Sequence, residues 1–309
     1  MESRAVNLSD KIAVVTGSNK GVGFGIVKEL CKRGVGVVYL TSRDINRGKE
    51  AIEILEKEKL HPKFHQLDVS NEDSVKSFAE YIKKEHNGLD ILINNAGLTA
   101  SDFHKTTYED AKRVIDTNYY GVLLMQKYFF PIMNENGRII NVSSVWGHIR
   151  TNIKNSYWIQ QLTKENVSFD DVNAFVTWFL DSVKNGTVKE EDFVCHTLLA
   201  YRVSKVALCA LTKIQQTIVG KNISVNSMHP GFVRTKMTNG AGDMSTDDAS
   251  IIPVYLALDA DQSVKGKYIC SDRTEVDWED FWDLDIIIPS ELFKYYYVDA
   301  AKNYNFRDH

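Results

Sequence analysis

The chain has 309 residues, enough for one large or two ordinary domains, and its 43% hydrophobic and 25% charged residues are those of a soluble globular protein. A formal net charge of −4 gives no electrostatic footing for nucleic acid or an anionic membrane. No apolar stretch approaches the ~18 residues of a membrane helix, and the polar start MESRAVNLSDK lacks a secretory apolar run.

In chain order, Lys11–Thr16 (KIAVVT) is a β-branched, nearly continuous apolar run, the pattern of a strand buried on both faces. A glycine-rich turn and a helical periodicity over Val22–Arg33 follow. Next come a strand at Gly36–Leu40, a charged helix at Asn46–Lys59 and a strand near Lys63–Leu67. A helix over Asn71–His86, opened by an Asn71/Ser74 cap, leads to the apolar strand Leu89–Ile93. The spacing then predicts one long helix over about Tyr108–Met133 and a strand at Arg138–Val142. Later elements are a helix through Ala200–Val219, a strand at Ile223–Met228, a helix near Ala249–Leu258 and a short strand at Tyr268–Ile269. Strict alternation of buried strands and helices predicts an α/β fold: a doubly wound, parallel sheet of Rossmann type.

Two regions break the rhythm. A helical insertion, about 148–197, separates the strand ending at Val142 from the helix that carries Tyr201, far beyond an ordinary connection. Within it Ser168 and Asp171 make a capping box with Asp in place of Glu. Behind that box Val172, Phe175, Val176, Phe179, Leu180 and Val183 form an apolar stripe that must be buried. The second region is a C-terminal extension, about 277–309. It is too aromatic (DWEDFWDLDIII, FKYYYV) for an acidic disordered tail, so it packs back on the body or docks on a partner. The chain reads as a single domain over 1–309.

TGSNKGVG (Thr16–Gly23) joins the first strand to the first helix. There Gly17, Gly21 and Gly23 let backbone amides approach a pyrophosphate, and the helix N-terminus adds partial positive charge. The second strand ends YLTSRD, where an NAD-preferring site places an acid on the ribose 2′-hydroxyl. Here Thr41 and Ser42 are neutral, and Arg43 with Lys20 offers two cations suited to a 2′-phosphate, which favours NADP; Asp44 keeps NAD open. Tyr201 and Lys205, four apart, share a helix face and could form a proton donor. Tyr108 and Lys112 repeat that spacing, so the pair alone decides nothing. Cys31, Cys195, Cys209 and Cys270 are scattered without CxxC spacing, as are the eight histidines without ligand spacing. Reduced thiols, a cytoplasmic setting and no metal site are the expectations.

Taken together, Gly17-x-x-x-Gly21-x-Gly23, Asn94-Asn95-Ala96-Gly97, the Asn118 segment TNYYG, Ser143-Ser144, Tyr201-x-x-x-Lys205 and Pro230-Gly231 occur in an order that resembles the short-chain dehydrogenase/reductase family over about residues 10–275. TGSNKGVG, SRDINRGKEA, KFHQLDV, GLDILINNAG, PGFVRTKM and the long insertion look most like its monomeric, NADPH-dependent carbonyl reductases. The resemblance implies that Tyr201 protonates a substrate carbonyl oxygen while hydride arrives from NADPH. Lys205 would lower the tyrosine pKa and hold the nicotinamide ribose, and Asn118 would orient a water. Ser144 would bond the carbonyl oxygen where charge develops, with Ser143 as the other reading. It also implies cofactor contacts from Gly17, Asn19, Lys20, Gly21, Val22, Gly23, Arg43, Asp68, Val69, Asn95, Ala96, Gly97, Val233 and Thr235, besides Tyr201 and Lys205. Trp146, Phe232 and Met237 are candidates for the substrate wall, with packing roles equally open.

The expected activity is reduction of aldehydes, ketones or quinones. A dedicated steroid, pterin or alkaloid-like reductase stays open, and a catalytically silent NADP-sensing protein is the rival from another class. Members of the family usually dimerise through the helices bearing the Asn and the Tyr. The insertion laid over that surface would make this chain a monomer, or else create a new interface.

Overall fold

The computed structural model of the chain describes residues 7–102, 104–220 and 222–280. Its sheet is built from β1 (Ile12–Val15), β2 (Val37–Ser42), β3 (Lys63–Gln66), β4 (Leu89–Asn94), β5 (Met133–Val142), β6 (Ser224–Met228), β7 (Tyr268–Ile269) and β8 (Glu275–Val276). The spatial order is β3-β2-β1-β4-β5-β6-β7-β8, parallel up to β7, with β8 returning antiparallel. Successive residues of a strand serve opposite faces. Ala13 and Val15 of β1 enter one core with Ile91, Ile93 and Ile140, whereas Val14 enters the other with Leu92 and Ile139. Both faces being covered, the central strands β1 and β4 have little polar surface to present, which is why they read as nearly continuous apolar runs.

The helices are α1 (Gly21–Lys32), α2 (Ile45–Lys57), α3 (Glu72–His86), α4 (Tyr108–Ile115), α5 (Gly121–Phe129), α6 (Ile149–Asn152), α7 (Ser156–Thr163), α8 (Phe169–Asn185), α9 (Leu199–Ile218), α10 (Thr246–Ala249) and α11 (Ile251–Leu258). Residues of α1, α2 and α11 fill the first core, and α3 and α5 fill the second. The chain order reverses between β1 and β4, so a crevice opens above their C-terminal ends. Among the described residues no helix is long and apolar enough to cross a membrane.

Four elements differ from the sequence-based expectation. The single helix over 108–133 is interrupted by a π-helical turn at Asp116–Tyr120, because the Asn118 side chain is turned inward to other partners. Pro131 then tightens the end into a 3₁₀ turn, and β5 starts at Met133 instead of Arg138. The helix expected near Ala249–Leu258 is two pieces, α10 and α11, each opening at a serine. The two-residue β8 is too short to leave a periodicity.

The insertion folds as a layer of helices. Ser168 and Asp171 form the capping box reciprocally at the start of α8. Val172, Phe175, Val176 and Phe179 are fully buried against Ala111, Val114 and Ile115 of α4 and against Leu199 and Val203 of α9. Leu180 and Val183 sit at the margin of the same cluster. Tyr119 donates its hydroxyl to Asn173 Oδ1 (2.9 Å), which pins the π turn to α8. The start of the C-terminal extension packs back: Trp278 is buried in this cluster, its carbonyl accepts the Ile149 amide (3.0 Å), and Lys213 pairs with Glu279 (2.7 Å). The remainder of the extension, 281–309, lies outside the described residues.

Candidate active site

The glycine loop follows β1 directly and wraps against the turn after β4. Thr16 Oγ1 accepts the Asn95 and Ala96 amides (3.0 and 2.9 Å), and Asn95 Nδ2 donates to the carbonyls of Thr16 and Gly17. A Cβ on Gly23 would lie 2.4 Å from Asn95 Nδ2 and 2.8 Å from Ser18 Cα, and one on Gly17 would lie 2.9 Å from Ala96 Cα. Gly21 has φ +62°, a left-handed value that favours glycine, and the space above it is bounded by the Thr235 methyl at 3.7 Å. The N-cap of α1, Lys20, makes no side-chain cap, whereas Asp44, Asn71 and Ser168 cap α2, α3 and α8. The first turn of α1 also carries no acid, so its amides and partial positive charge remain available to a diphosphate. The residues present therefore fit a dinucleotide.

At the end of β2, Thr41 supports the glycine loop: its hydroxyl accepts the Gly17 amide (3.3 Å) and donates to Val15 O (3.0 Å). Asp44 is turned into α2, where it accepts the Arg47 amide (3.0 Å). Lys20 and Arg43 are exposed, and the ion pairs among the described residues involve neither. Asn19 is half-buried within the loop. Asp68 follows β3 and accepts the Ser70 amide and hydroxyl, while Val69 is buried where a Cβ on Gly121 would touch it at 2.9 Å. Asn95, Ala96 and Gly97 line the opposite wall, and a Cβ on Gly97 would lie 3.4 Å from Asn118 Oδ1.

Beyond β5 the chain turns so that Ser144 and Ser143 diverge. Ser144 lines the cavity beside Tyr201, and Ser143 Oγ faces Cys209 Sγ at 3.1 Å. Lys205 Nζ donates to Val142 O (2.8 Å) and lies 5.4 Å from the Tyr201 ring centroid. Asn118, on the π turn, accepts the Leu98 amide (2.9 Å) and donates to Leu98 O and Ser204 Oγ (both 3.0 Å). It thus ties the turn after β4 to α9 beside Lys205. Burial pushes the Tyr201 phenol up, an effect that Ser144 partly offsets. The same burial pushes Lys205 down to about 8. The second Tyr/Lys pair is at the surface, with Lys112 bonded to Asp116 (2.5 Å) and Lys184 over the Tyr108 ring.

Ser144 and Tyr201 open into a cavity of about 220 Å³, whose walls include Val22, Trp146, Phe232, Val233, Thr235 and Met237. Trp146 is almost wholly buried, while Met237, 38% exposed, sits at the mouth.

The family model described as short chain dehydrogenase matches residues 11–158. Carbonyl reductase (NADPH) 1 of Bos taurus is 34% identical over 280 residues, 87% of this chain and 99% of that protein. Its counterpart in Sus scrofa is 32% identical over 277 residues, 87% and 94% of the two chains. The chain belongs to the short-chain dehydrogenase family. Salutaridine reductase from Papaver somniferum superposes with a TM-score of 0.78 at 30% identity, covering 84% of this chain and 99% of that one. Menthone neomenthol reductase from Mentha piperita does so with a TM-score of 0.73 at 29% identity, covering 84% and 98%.

This short-chain dehydrogenase also lines its cavity with residues that sequence reasoning did not single out: Thr99, Leu198, His229, Asp243, Met244 and Ser271. His229 precedes Pro230 and could have been found as a polar group at a strand end. Its Nδ1 accepts the Gly231 amide (3.0 Å), and burial pushes it down to about 4, so it stays neutral. Leu198 left no signal, because its left-handed φ of +57° is visible only in the folded chain.

Proposed function

We propose that this short-chain dehydrogenase reduces carbonyl compounds (aldehydes, ketones or quinones) to alcohols with NADPH. The observation that carries the reading is that Tyr201 and Ser144 together line one largely apolar cavity next to the dinucleotide crevice, with Lys205 5.4 Å from the Tyr201 ring centroid. NADPH supplies the hydride when bound. Gly17, Asn19, Gly21, Val22 and Gly23 hold its diphosphate end, Lys20 and Arg43 its 2′-phosphate, and Asp68, Val69, Asn95, Ala96 and Gly97 its adenosine half. Lys205, Val233 and Thr235 hold the nicotinamide half. Tyr201 donates the proton and Ser144 bonds the oxygen on which charge develops. Asn118 keeps the floor beside Lys205 fixed.

The capture of Asp44 by the start of α2 supports NADPH over NADH, since that carboxylate is committed to the helix. Oxidation of NADPH and of NADH against a panel of carbonyl compounds tests the reading, with Arg43→Glu beside the wild type. NADPH should be preferred, and the substitution should cut that preference by about tenfold or more, as expected for one lost charge-assisted contact. Equal use of both cofactors by the wild type would sink the argument.

A narrower reading, a reductase dedicated to an alkaloid-like or terpenoid ketone, is favoured by the likeness to salutaridine and menthone reductases and by the aromatic cavity wall. We also propose that the protein is a monomer, because α8 buries the faces of α4 and α9 that would otherwise be free to associate. Sedimentation at micromolar concentration should give the mass of one chain, and a dimer mass would refute this.

A further inference from the structure

We infer that Arg202 is a positioning residue that fixes two stretches of the substrate cavity lining, at Trp146 and at Leu198. It follows Tyr201 on α9, is only 2% exposed, and is among the largest fully buried side chains. Taking a guanidinium out of water is costly unless its donors and its flat face are used. Here both are. The guanidinium carbon lies 3.7 Å from the centroid of the Trp146 ring, a stack of the cation on the indole face. Nη1 donates to Asn152 Oδ1 (2.9 Å), and Asn152 Nδ2 in turn donates to the carbonyls of Trp146 (3.1 Å) and His148 (2.6 Å). Trp146 is therefore held by its ring through Arg202 and by its backbone through Asn152. Its amide meets Ser144 Oγ at 3.4 Å, so the hold extends to the serine.

The other arm reaches a second stretch of the cavity lining. Arg202 Nε donates to Thr197 O (2.7 Å), the carbonyl just before Leu198, whose left-handed backbone is costly for a branched residue and needs support. Trp146 and Leu198 both line the cavity. One planar fork thus joins both stretches to the helix that carries Tyr201. Lysine can supply the charge but neither the stack nor the fork.

This inference rests on the cavity being the site of carbonyl reduction. The test uses the full-length protein, wild type and Arg202→Lys, with Arg202→Met beside it, and Trp146→Leu alone and combined with Arg202→Lys. NADPH oxidation is measured with a small aliphatic aldehyde and with a bulky cyclic ketone. Arg202→Lys should raise KM for the bulky ketone by about tenfold, with kcat, the aldehyde KM and the NADPH dissociation constant changing less than about threefold. In the Trp146→Leu background the same substitution should raise that KM clearly less than it does in the wild type, leaving only the part that acts through Thr197 and Leu198. Equal losses on both substrates, or full additivity in the combined variant, would overturn the inference. Acrylamide quenching of Trp146 fluorescence, taken as the difference from a Trp146→Phe protein, should increase in Arg202→Lys. Unchanged quenching would overturn it as well. If the wild type reduces no carbonyl, the functional reading fails by itself, and the quenching arm still decides whether Arg202 holds Trp146.

Discussion

Replacing Tyr201 by phenylalanine is expected to lower kcat by roughly 10²–10⁴-fold, the range that a positioned general acid supplies. The substitution removes one oxygen and keeps the ring that lines the cavity and faces Lys205 at 5.4 Å. Packing and cofactor affinity should therefore change little. NADPH binding, followed by fluorescence, should stay within a few-fold of wild type, and thermal stability should change only slightly. Ser144→Ala should show a smaller loss, because it removes an oxygen partner and leaves the proton donor in place. The comparison has a built-in control: Tyr108→Phe, at the surface pair, should be indistinguishable from wild type. Retention of kcat in Tyr201→Phe would refute the mechanism. Equal losses in the Tyr108 and Tyr201 variants would place the effect in stability instead of chemistry.

The two Tyr/Lys pairs also show what sequence can and cannot resolve. Spacing alone left them equivalent, and chain order separated them, because only Tyr201 follows the serine strand. Strands and most helices were readable for a physical reason: a parallel sheet covered on both faces demands apolar runs, and each amphipathic helix repeats its stripe. The capping box of α8 and its buried stripe were legible in the same way, since both lie within a single element. What escaped was set by distant contacts. The π turn at Asn118 exists because that side chain bonds Leu98 and Ser204, far away in sequence, so local periodicity predicted an unbroken helix. Arg202 acquires its place from Trp146 and Asn152, across the length of the insertion, and only then holds the neighbouring Thr197 carbonyl beside Leu198. The resemblance implied that Lys205, together with the cationic oxidised nicotinamide, lowers the tyrosine pKa. In the fold, burial dominates and moves the phenol up.

Lys205→Met should be nearly as damaging to turnover as Tyr201→Phe, by roughly 10²-fold or more, while changing stability with a pH dependence that identifies the lysine. Burial lowers Lys205 from 10.5 to about 8 in the fold. Between those two values the unfolded chain still holds the lysine proton and the folded chain has released it. The unfolded state then binds more protons, so this residue makes unfolding free energy rise with pH, by about 1.4 kcal/mol per unit and roughly 3 kcal/mol across the window. Below about pH 8 the fold carries the full cost of the buried ammonium, offset in part by its bond to Val142 O. The desolvated thiols act in the opposite direction. Cys31 and Cys270 are pushed up to about 11 and Cys209 to about 12, so they lower stability above pH 9. The variant keeps all three, and a difference between the two proteins removes most of their effect. Urea unfolding at pH 7 and pH 10 should therefore show wild type gaining about 2–3 kcal/mol relative to Lys205→Met as pH rises. Parallel behaviour of the two proteins would mean that Lys205 is not held in the desolvated state that the fold gives it, and the argument for its role beside Tyr201 would fall with it.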